Sequence, residues 1–455
     1  MKLFPEDPVF EIGVVGFDDT DAQGRKFDFL DRKPLGQKLT NLVDRINQPL
    51  VIALDGGWGS GKSHFLKLWT AAHSKELGGK ADVIYFDAFE HDFLDDPLVS
   101  LVSRLTSDKA EKTWGAKAVG AVKKAAFPLA KLASRVALAA VTYGATEAAS
   151  AVGDAMISKV GDAGDGAIDR FWKAEAGRID AMQGFRDALT ALTERAKEGD
   201  NPRKIVFIVD ELDRCRPDYA LSLLEIIKHF FAVSNVHFVL GVNLEALENS
   251  VKARYGVGIN AAVYLQKFIR VRLSLPRAIG TNIAARNELI CFDFYAHDMG
   301  LAQDFQQTFR SVLSPICLSR NVSLRDVQQI VTHLALLATS FGGIYVPVQV
   351  VIYTSLICKV LTPNFYPYLR DGSATFDQFC RNIPLAMPLE GNQGREQGNI
   401  RQTWEYLLAA TPSISADKFG EGWFGPLNIR DRRNWLRSTI REHLETFSVP
   451  ALPSS

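Results

Sequence analysis

Residues 55–63 read Asp-Gly-Gly-Trp-Gly-Ser-Gly-Lys-Ser, and within them Gly56, Gly57, Trp58, Gly59, Ser60, Gly61, Lys62 and Ser63 satisfy the spacing G-x-x-x-x-G-K-[ST]. A phosphate cradle needs this spacing. The glycines allow backbone conformations closed to residues with a Cβ, so that successive N–H groups converge on an anion. A helix beginning at Lys62 would add the positive end of its dipole. Lys62 would reach the terminal phosphates as a point charge, and the Ser63 hydroxyl would fill one coordination position of Mg²⁺. His64, next in the chain, is grouped with the residues that would touch the nucleotide.

A second constellation follows downstream, where an apolar run ends in Asp210-Glu211-Leu212-Asp213-Arg214. Two adjacent carboxylates at the end of a buried strand are costly unless a cation or a proton compensates them. Mg²⁺ is the natural partner: Asp210 would hold the metal through water, and Glu211 would orient or deprotonate the attacking water. A strand end facing solvent is the plain alternative, and the upstream loop argues against it. Asn243 closes another apolar run, where it would sense the γ-phosphate or its water, or else cap the helix that follows. No N-K-x-D guanine-reading segment occurs, which favours ATP over GTP. The charge that spreads over phosphoryl oxygens during transfer calls for an arginine, from this chain or a neighbour. Arg214, Arg270, Arg272, Arg320 and Arg325 are the candidates.

These residues need a scaffold that brings strand ends together. Five apolar runs have the length and β-branched content of buried parallel strands: 50–54, 83–87, 205–210, 236–242 and 268–275. Helical patterns lie between them, including 62–72 and 219–231. This alternation predicts an α/β fold, a doubly wound parallel sheet whose ligands bind beyond the carboxyl ends of its strands. A stretch rich in Ala and Gly, residues 104–180, interrupts the rhythm as an insertion within a core spanning 1–275. Residues 276–345 read as a helical lid, with Ser323 and Asp326 forming a helix start signal, and 346–455 as a C-terminal helical region.

With 455 residues, 47% of them apolar and 23% charged, the chain has the composition of an ordinary globular protein of roughly two to four domains. Lys+Arg and Asp+Glu balance at 52 each, so attraction to nucleic acid or anionic lipid would need a local patch. The five cysteines are scattered without metal-ligand spacing, as expected of reduced thiols in a cytoplasm. The first residues, MKLFPEDPVFEIG, lack the pattern of a secretion signal.

Together these motifs resemble the KAP family of P-loop NTPases. The loop matches the family form G-x-W-G-S-G-K-[ST]; Asp213-Arg214-Cys215-Arg216-Pro217 matches its D-R-C-x-P; and Tyr264-Leu265-Gln266-Lys267-Phe268-Ile269 matches its Y-L-x-K segment before the last strand. Asp31-Arg32-Lys33-Pro34-Leu35-Gly36 resembles the stretch that helps hold the base, which adds Arg32 to the binding residues. The resemblance covers about residues 28–340 and implies an extra strand between the loop strand and the acidic strand. Where members commonly carry Asp-Asp, this chain has Asp210-Glu211, a swap that resembles the hydrolytic Glu of active ATPases. Phe89 stands where a Trp is common.

The resemblance implies an ATP-dependent, Mg²⁺-requiring switch that oligomerises and acts in bacterial anti-phage defence with a protein effector as partner. A non-catalytic ATP-binding scaffold is the alternative. Many relatives carry membrane spans in the insertion, but here Val136 to Thr146, the longest uncharged part, has 11 residues against the roughly 20 needed to span. Lys112, Lys117, Lys123, Lys124, Lys131 and Arg135 occur without an intervening acid, and Leu129, Leu132, Val136 and Ala140 share a helical face. That pattern allows a basic amphipathic helix on the inner membrane face, a partner or nucleic acid, or a solvated arm packed on the core.

Overall fold

The computed structural model describes residues 10–93, 96–107, 114–126, 166–194, 202–276, 286–338, 344–384, 392–427, 429 and 431–445. The two most apolar runs form β3 (Ile205–Asp210) and β4 (Val236–Val242), both buried along their whole length. With β1 (Leu50–Asp55), β2 (Asp82–Asp87) and β5 (Val271–Ser274) they make a parallel sheet of order β2-β3-β4-β1-β5. Strand β4 thus separates β1, which leads into the glycine-rich loop, from β3, which delivers the carboxylates. The fold is that of a P-loop NTPase domain with an extra strand between the two.

Side chains alternate across the sheet and define two cores. Val206 and Ile208 pack with Ile52, Leu54 and Val239 under Phe65, Leu66 and Trp69 of α2 (Lys62–Lys75). Ile205, Phe207 and Val209 face the opposite core, with Phe238 and Leu240, beneath α3 (Pro97–Leu105), the end of α4 (Gly166–Thr193), α5 (Pro217–Phe230) and α6 (Leu244–Tyr255). The same alternation turns Asp210 toward α2. Helix α1 (Lys33–Arg45) is locked beside α2: the Trp69 indole donates to the carbonyl of Gly36 (3.1 Å) and to Thr40 Oγ1 (3.0 Å). Fully buried His73 touches Thr40 through Nδ1 (3.0 Å) and accepts from the Ala81 amide at Nε2 (3.2 Å), which fixes the neutral tautomer.

The fifth strand is shorter than the apolar run 268–275. The amides of Phe268 and Ile269 both return to the carbonyl of Leu265 (3.0 Å each), extending the turn that closes α7 (Ala261–Leu265) before the chain enters the sheet. In the insertion, residues 116–126 are helical, and Trp114, Val119, Val122 and Ala126 are buried against the β3 core. Trp114 also donates to Asp82 Oδ2 (2.7 Å), while Lys117, Lys123 and Lys124 point outward. Over these residues the insertion is a packed arm. Lys112, Lys131, Arg135 and the apolar face from Leu129 to Ala140 lie outside the described residues. Among the described residues no helix is long and apolar enough to cross a membrane.

After β5 come α8 (Asn287–Asp298), α9 (Gln303–Ser319), α10 (Leu324–Ala338) and α11 (Val346–Leu361), followed by the C-terminal helices. Ser323 and Asp326 start α10 as a reciprocal cap: the Asp326 amide donates to Ser323 Oγ (3.1 Å) and the Ser323 amide to Asp326 Oδ2 (2.9 Å). The boundary expected at residue 345 does not divide two cores. One cluster runs from Leu289 and Phe309 through Val327 and Tyr353 to Trp404 and Leu444, so lid and C-terminal helices form one packed unit.

Candidate functional site

The loop between β1 and α2, the carboxyl end of β3 and the start of α10 meet around a cavity of about 280 Å³. Gly59 (φ 73°) and Gly61 (φ 83°) adopt the left-handed conformation that a cradle of inward amides requires. Both are also crowded: a Cβ on Gly61 would lie 2.6 Å from Arg32 Nη1, and one on Gly59 would lie 2.8 Å from the Cβ of Arg325. Arg32, only 3% exposed, donates to the carbonyls of Ser60 (2.8 Å) and Gly61 (3.0 Å) and so holds the loop from beneath. Burial pulls its guanidinium down to about 10, against the opposing charge of Asp28. Lys62 donates to the carbonyls of Gly56 (2.6 Å) and Gly57 (3.2 Å), and burial lowers its pKa against the pull of Asp213, Asp210 and Asp55. His64 lines the cavity with Nε2 on the carbonyl of Phe27 (2.8 Å).

Asp210 is completely buried. Burial raises its pKa, while hydrogen bonds from the Ser63 and Tyr85 hydroxyls and the Glu211 amide oppose that shift. The Tyr85 hydroxyl donates to Oδ2 (2.8 Å), and the Glu211 amide to Oδ1 (3.0 Å). Gly241, opposite Asp210 on β4, has no side chain to intrude: a Cβ there would stand 2.3 Å from Oδ1. Glu211 sits at φ 58°, a conformation costing a residue with a Cβ about 1 kcal/mol. There the strand gives way to a short 3₁₀ turn, Leu212–Arg214. The Glu211 carboxylate, raised by burial against the field of Arg214, accepts from Arg214 Nη1 (2.9 Å). Asp213 accepts from the Trp58 indole (2.6 Å), joining loop and turn directly.

Of the other expected residues, the structure brings Arg325 to this cavity and carries Arg320, Arg270 and Asn243 elsewhere. The Leu324 amide donates to the Gly59 carbonyl (2.9 Å), which seats the first turn of α10, with Arg325, on the loop. The Arg320 guanidinium is engaged by the carbonyls of Asn382 (2.8 Å) and Leu361 (2.7 Å), within the helical unit. Arg270 precedes β5, at the amino end of the sheet, where its amide donates to the Val51 carbonyl. Arg272 pairs with Asp55. Asn243 stands at the N-cap of α6 with no side-chain capping bond. With Arg272 it lines a neighbouring cavity of about 650 Å³ that shares Arg32, Trp58, Ser60 and Leu324 with the first.

Sequence reasoning left several cavity residues unassigned. Asp213 is recognisable only once the loop tip meets the turn after β3, and Tyr85, behind the cavity on Asp210, only once β2 and β3 are paired. Phe29, Leu30, Tyr295 and Gln328 also line the cavity, with Phe29 stacked on Phe294 (4.4 Å between centroids). Phe29 and Leu30 adjoin the segment read as base-holding; Tyr295 and Gln328 come from α8 and α10, and nothing in their spacing announces them.

The donor set fits a magnesium-bound nucleoside triphosphate. A hydroxyl and a carboxylate from different elements already meet, in Ser63 and Asp210, at the mouth of an amide-rich loop. Buried Ser60 Oγ and Arg32 Nε, both beside the loop, have no hydrogen-bond partner within the protein.

No curated protein matches the chain. Among solved structures, the ORC2 protein of Aeropyrum pernix, in ADPNP–ADP complexes, is similar at 11% identity and a TM-score of 0.35, over 91% of this chain and 95% of that one. The model of the KAP family P-loop domain matches residues 32–341, close to the span over which the motifs were read, and the chain therefore belongs to the KAP family.

Proposed function

We propose that this protein binds ATP with Mg²⁺ at the carboxyl edge of its sheet and hydrolyses it, using the cycle to reset the helical unit that rests on the phosphate loop. The observation that carries this reading is the meeting of Ser63 with buried Asp210 beside a loop whose glycines take left-handed conformations. Loop amides and Lys62 would grip the phosphates, and Arg32 would keep the loop in shape from below. Ser63 and Asp210 would hold the magnesium, which supplies charge neutralisation at the phosphate oxygens. Glu211 would orient the attacking water and accept its proton. Arg325 would bring a positive charge from the first turn of α10.

Steady-state phosphate release by the purified chain tests this. Turnover should be lost in both Lys62→Ala and Glu211→Gln, with nucleotide binding lost only in the first. A scaffold that merely binds ATP would release no phosphate above background in the unmodified protein, and that result would refute the enzyme reading. The family motifs support a biological setting in anti-phage defence with an effector protein. Phage plating on cells carrying the wild-type or Lys62→Ala gene, with its neighbouring genes, checks it.

A further inference from the structure

The geometry points to Arg214 as a restraint on Glu211, not a contact to phosphate, with the Trp58–Asp213 hydrogen bond as the link through which the phosphate loop controls it. This regulatory role rests on the ATPase reading. The left-handed Glu211 starts the turn Leu212–Arg214, and the Arg214 amide closes it on the Glu211 carbonyl (3.1 Å). Side chains three residues apart on such a turn eclipse one another. Arg214 Nη1 accordingly reaches Glu211 Oε2 at 2.9 Å, with both side chains mostly screened from solvent. A carboxylate oxygen that accepts from a guanidinium is aimed at that partner, so it is not positioned to accept a hydrogen bond from the attacking water.

Position 213 belongs to the same turn. Leu212 and Asp213 are buried, which makes the turn a firm unit, and Asp213 Oδ2 is held by the indole N–H of Trp58 at 2.6 Å. Trp58 stands between Gly57 and Gly59, half-exposed at the tip of the loop that would fold around phosphate. A shift of that tip must either pull Asp213 along, moving Arg214 relative to Glu211, or break the indole bond and release the turn. Both routes connect occupancy of the loop with the freedom of Glu211. Arg214 is not needed as the cation for phosphate, because Lys62, Lys67 and Arg325 also line the cavity.

The test compares Arg214→Ala, Arg214→Lys and Trp58→Phe with the wild type in steady-state phosphate release, and in calorimetric titrations with ADP and with a non-hydrolysable ATP analogue in magnesium. The restraint predicts that Arg214→Ala and Trp58→Phe each release phosphate about threefold to tenfold faster. The double variant should be no faster than Arg214→Ala alone, because the two act in series. Arg214→Lys should stay near wild type, and both nucleotides should bind Arg214→Ala within about twofold of wild type. Slower release by Arg214→Ala, or a tenfold loss of analogue affinity with ADP affinity kept, would make Arg214 a γ-phosphate contact and overturn the proposal while leaving the ATPase reading intact. Nucleotide binding with no phosphate release from any variant would remove both.

Discussion

Replacing Gly241 with alanine tests whether the carboxyl end of β3 is built around the Asp210 carboxylate. Gly241 pairs with Asp210 across β3 and with Leu54 across β1, so its backbone is held on both sides. The new methyl would lie 2.3 Å from Asp210 Oδ1 and 2.6 Å from Leu66 Cδ1, where ordinary contact begins at 3.4 Å. The carboxylate must therefore withdraw by about 1 Å, a displacement typical of overpacking that costs about 1–3 kcal/mol. Withdrawal also strains the bonds from the Glu211 amide and the Tyr85 hydroxyl, of a charged kind each worth about 1.5–3 kcal/mol. If half of one such bond is lost where magnesium would be held, the magnesium-dependent part of nucleotide affinity falls about tenfold. Titrating a fluorescent ADP in magnesium and again in EDTA separates the two contributions, and urea unfolding measures the packing cost. The expected result is a loss of about 2 kcal/mol in unfolding free energy, weaker binding in magnesium, and affinity in EDTA within about twofold of wild type. Equal affinities for the variant and wild type in magnesium would refute the assignment of Asp210 to the metal.

Glu211→Gln should hold ATP without turning it over, seen as retention of labelled triphosphate on gel filtration; rapid conversion to ADP would count against Glu211 as the base. Stability should fall on acidification, because buried His237 is held down at about 4, first by burial and then by the Lys204 ammonium. Its unfolded value is about 6.5, so the unfolded chain binds the proton first: the full stabilisation is present above pH 6.5, and about 3 kcal/mol is lost as pH drops toward 4. Urea midpoints that do not change across that window, or that change equally in His237→Phe, would contradict this. Arg320→Ala should lower unfolding free energy by about 2 kcal/mol through two lost guanidinium–carbonyl bonds, and Arg325→Ala should weaken binding of a non-hydrolysable ATP analogue. The reverse pattern, a stable Arg320→Ala with weakened analogue binding, would return Arg320 to the site.

What could be read from the sequence and what could not divide along physical lines. Parallel strands covered on both faces must be continuously apolar, so β3 and β4 were plain, and the glycines and Ser63 are held to their spacing by backbone geometry that any sequence must obey. The start of β5 is hidden in the sequence because Phe268 and Ile269 are as apolar as strand residues yet belong to a helical turn. Arginines were the hardest to place. Arg320 and Arg325 look alike five residues apart, but the cap at Ser323 falls between them and sends one to the loop and the other to the carbonyls of Leu361 and Asn382. Tyr85 was invisible because its role depends on a strand pairing over a sequence separation of 125 residues.

The hydrogen bond from the Leu324 amide to the Gly59 carbonyl makes the phosphate loop the fulcrum of a lever. Because the helices from Leu289 to Leu444 share one core, a tilt of that fulcrum would move them as a block and not singly. A helix of 16 residues such as α11 is about 24 Å long, so a rotation too slight to notice beside Gly59 becomes a displacement of several ångströms at the far rim. Under the proposed ATPase cycle, a small chemical event at the sheet edge would be converted into a larger displacement at the far rim of the helical unit.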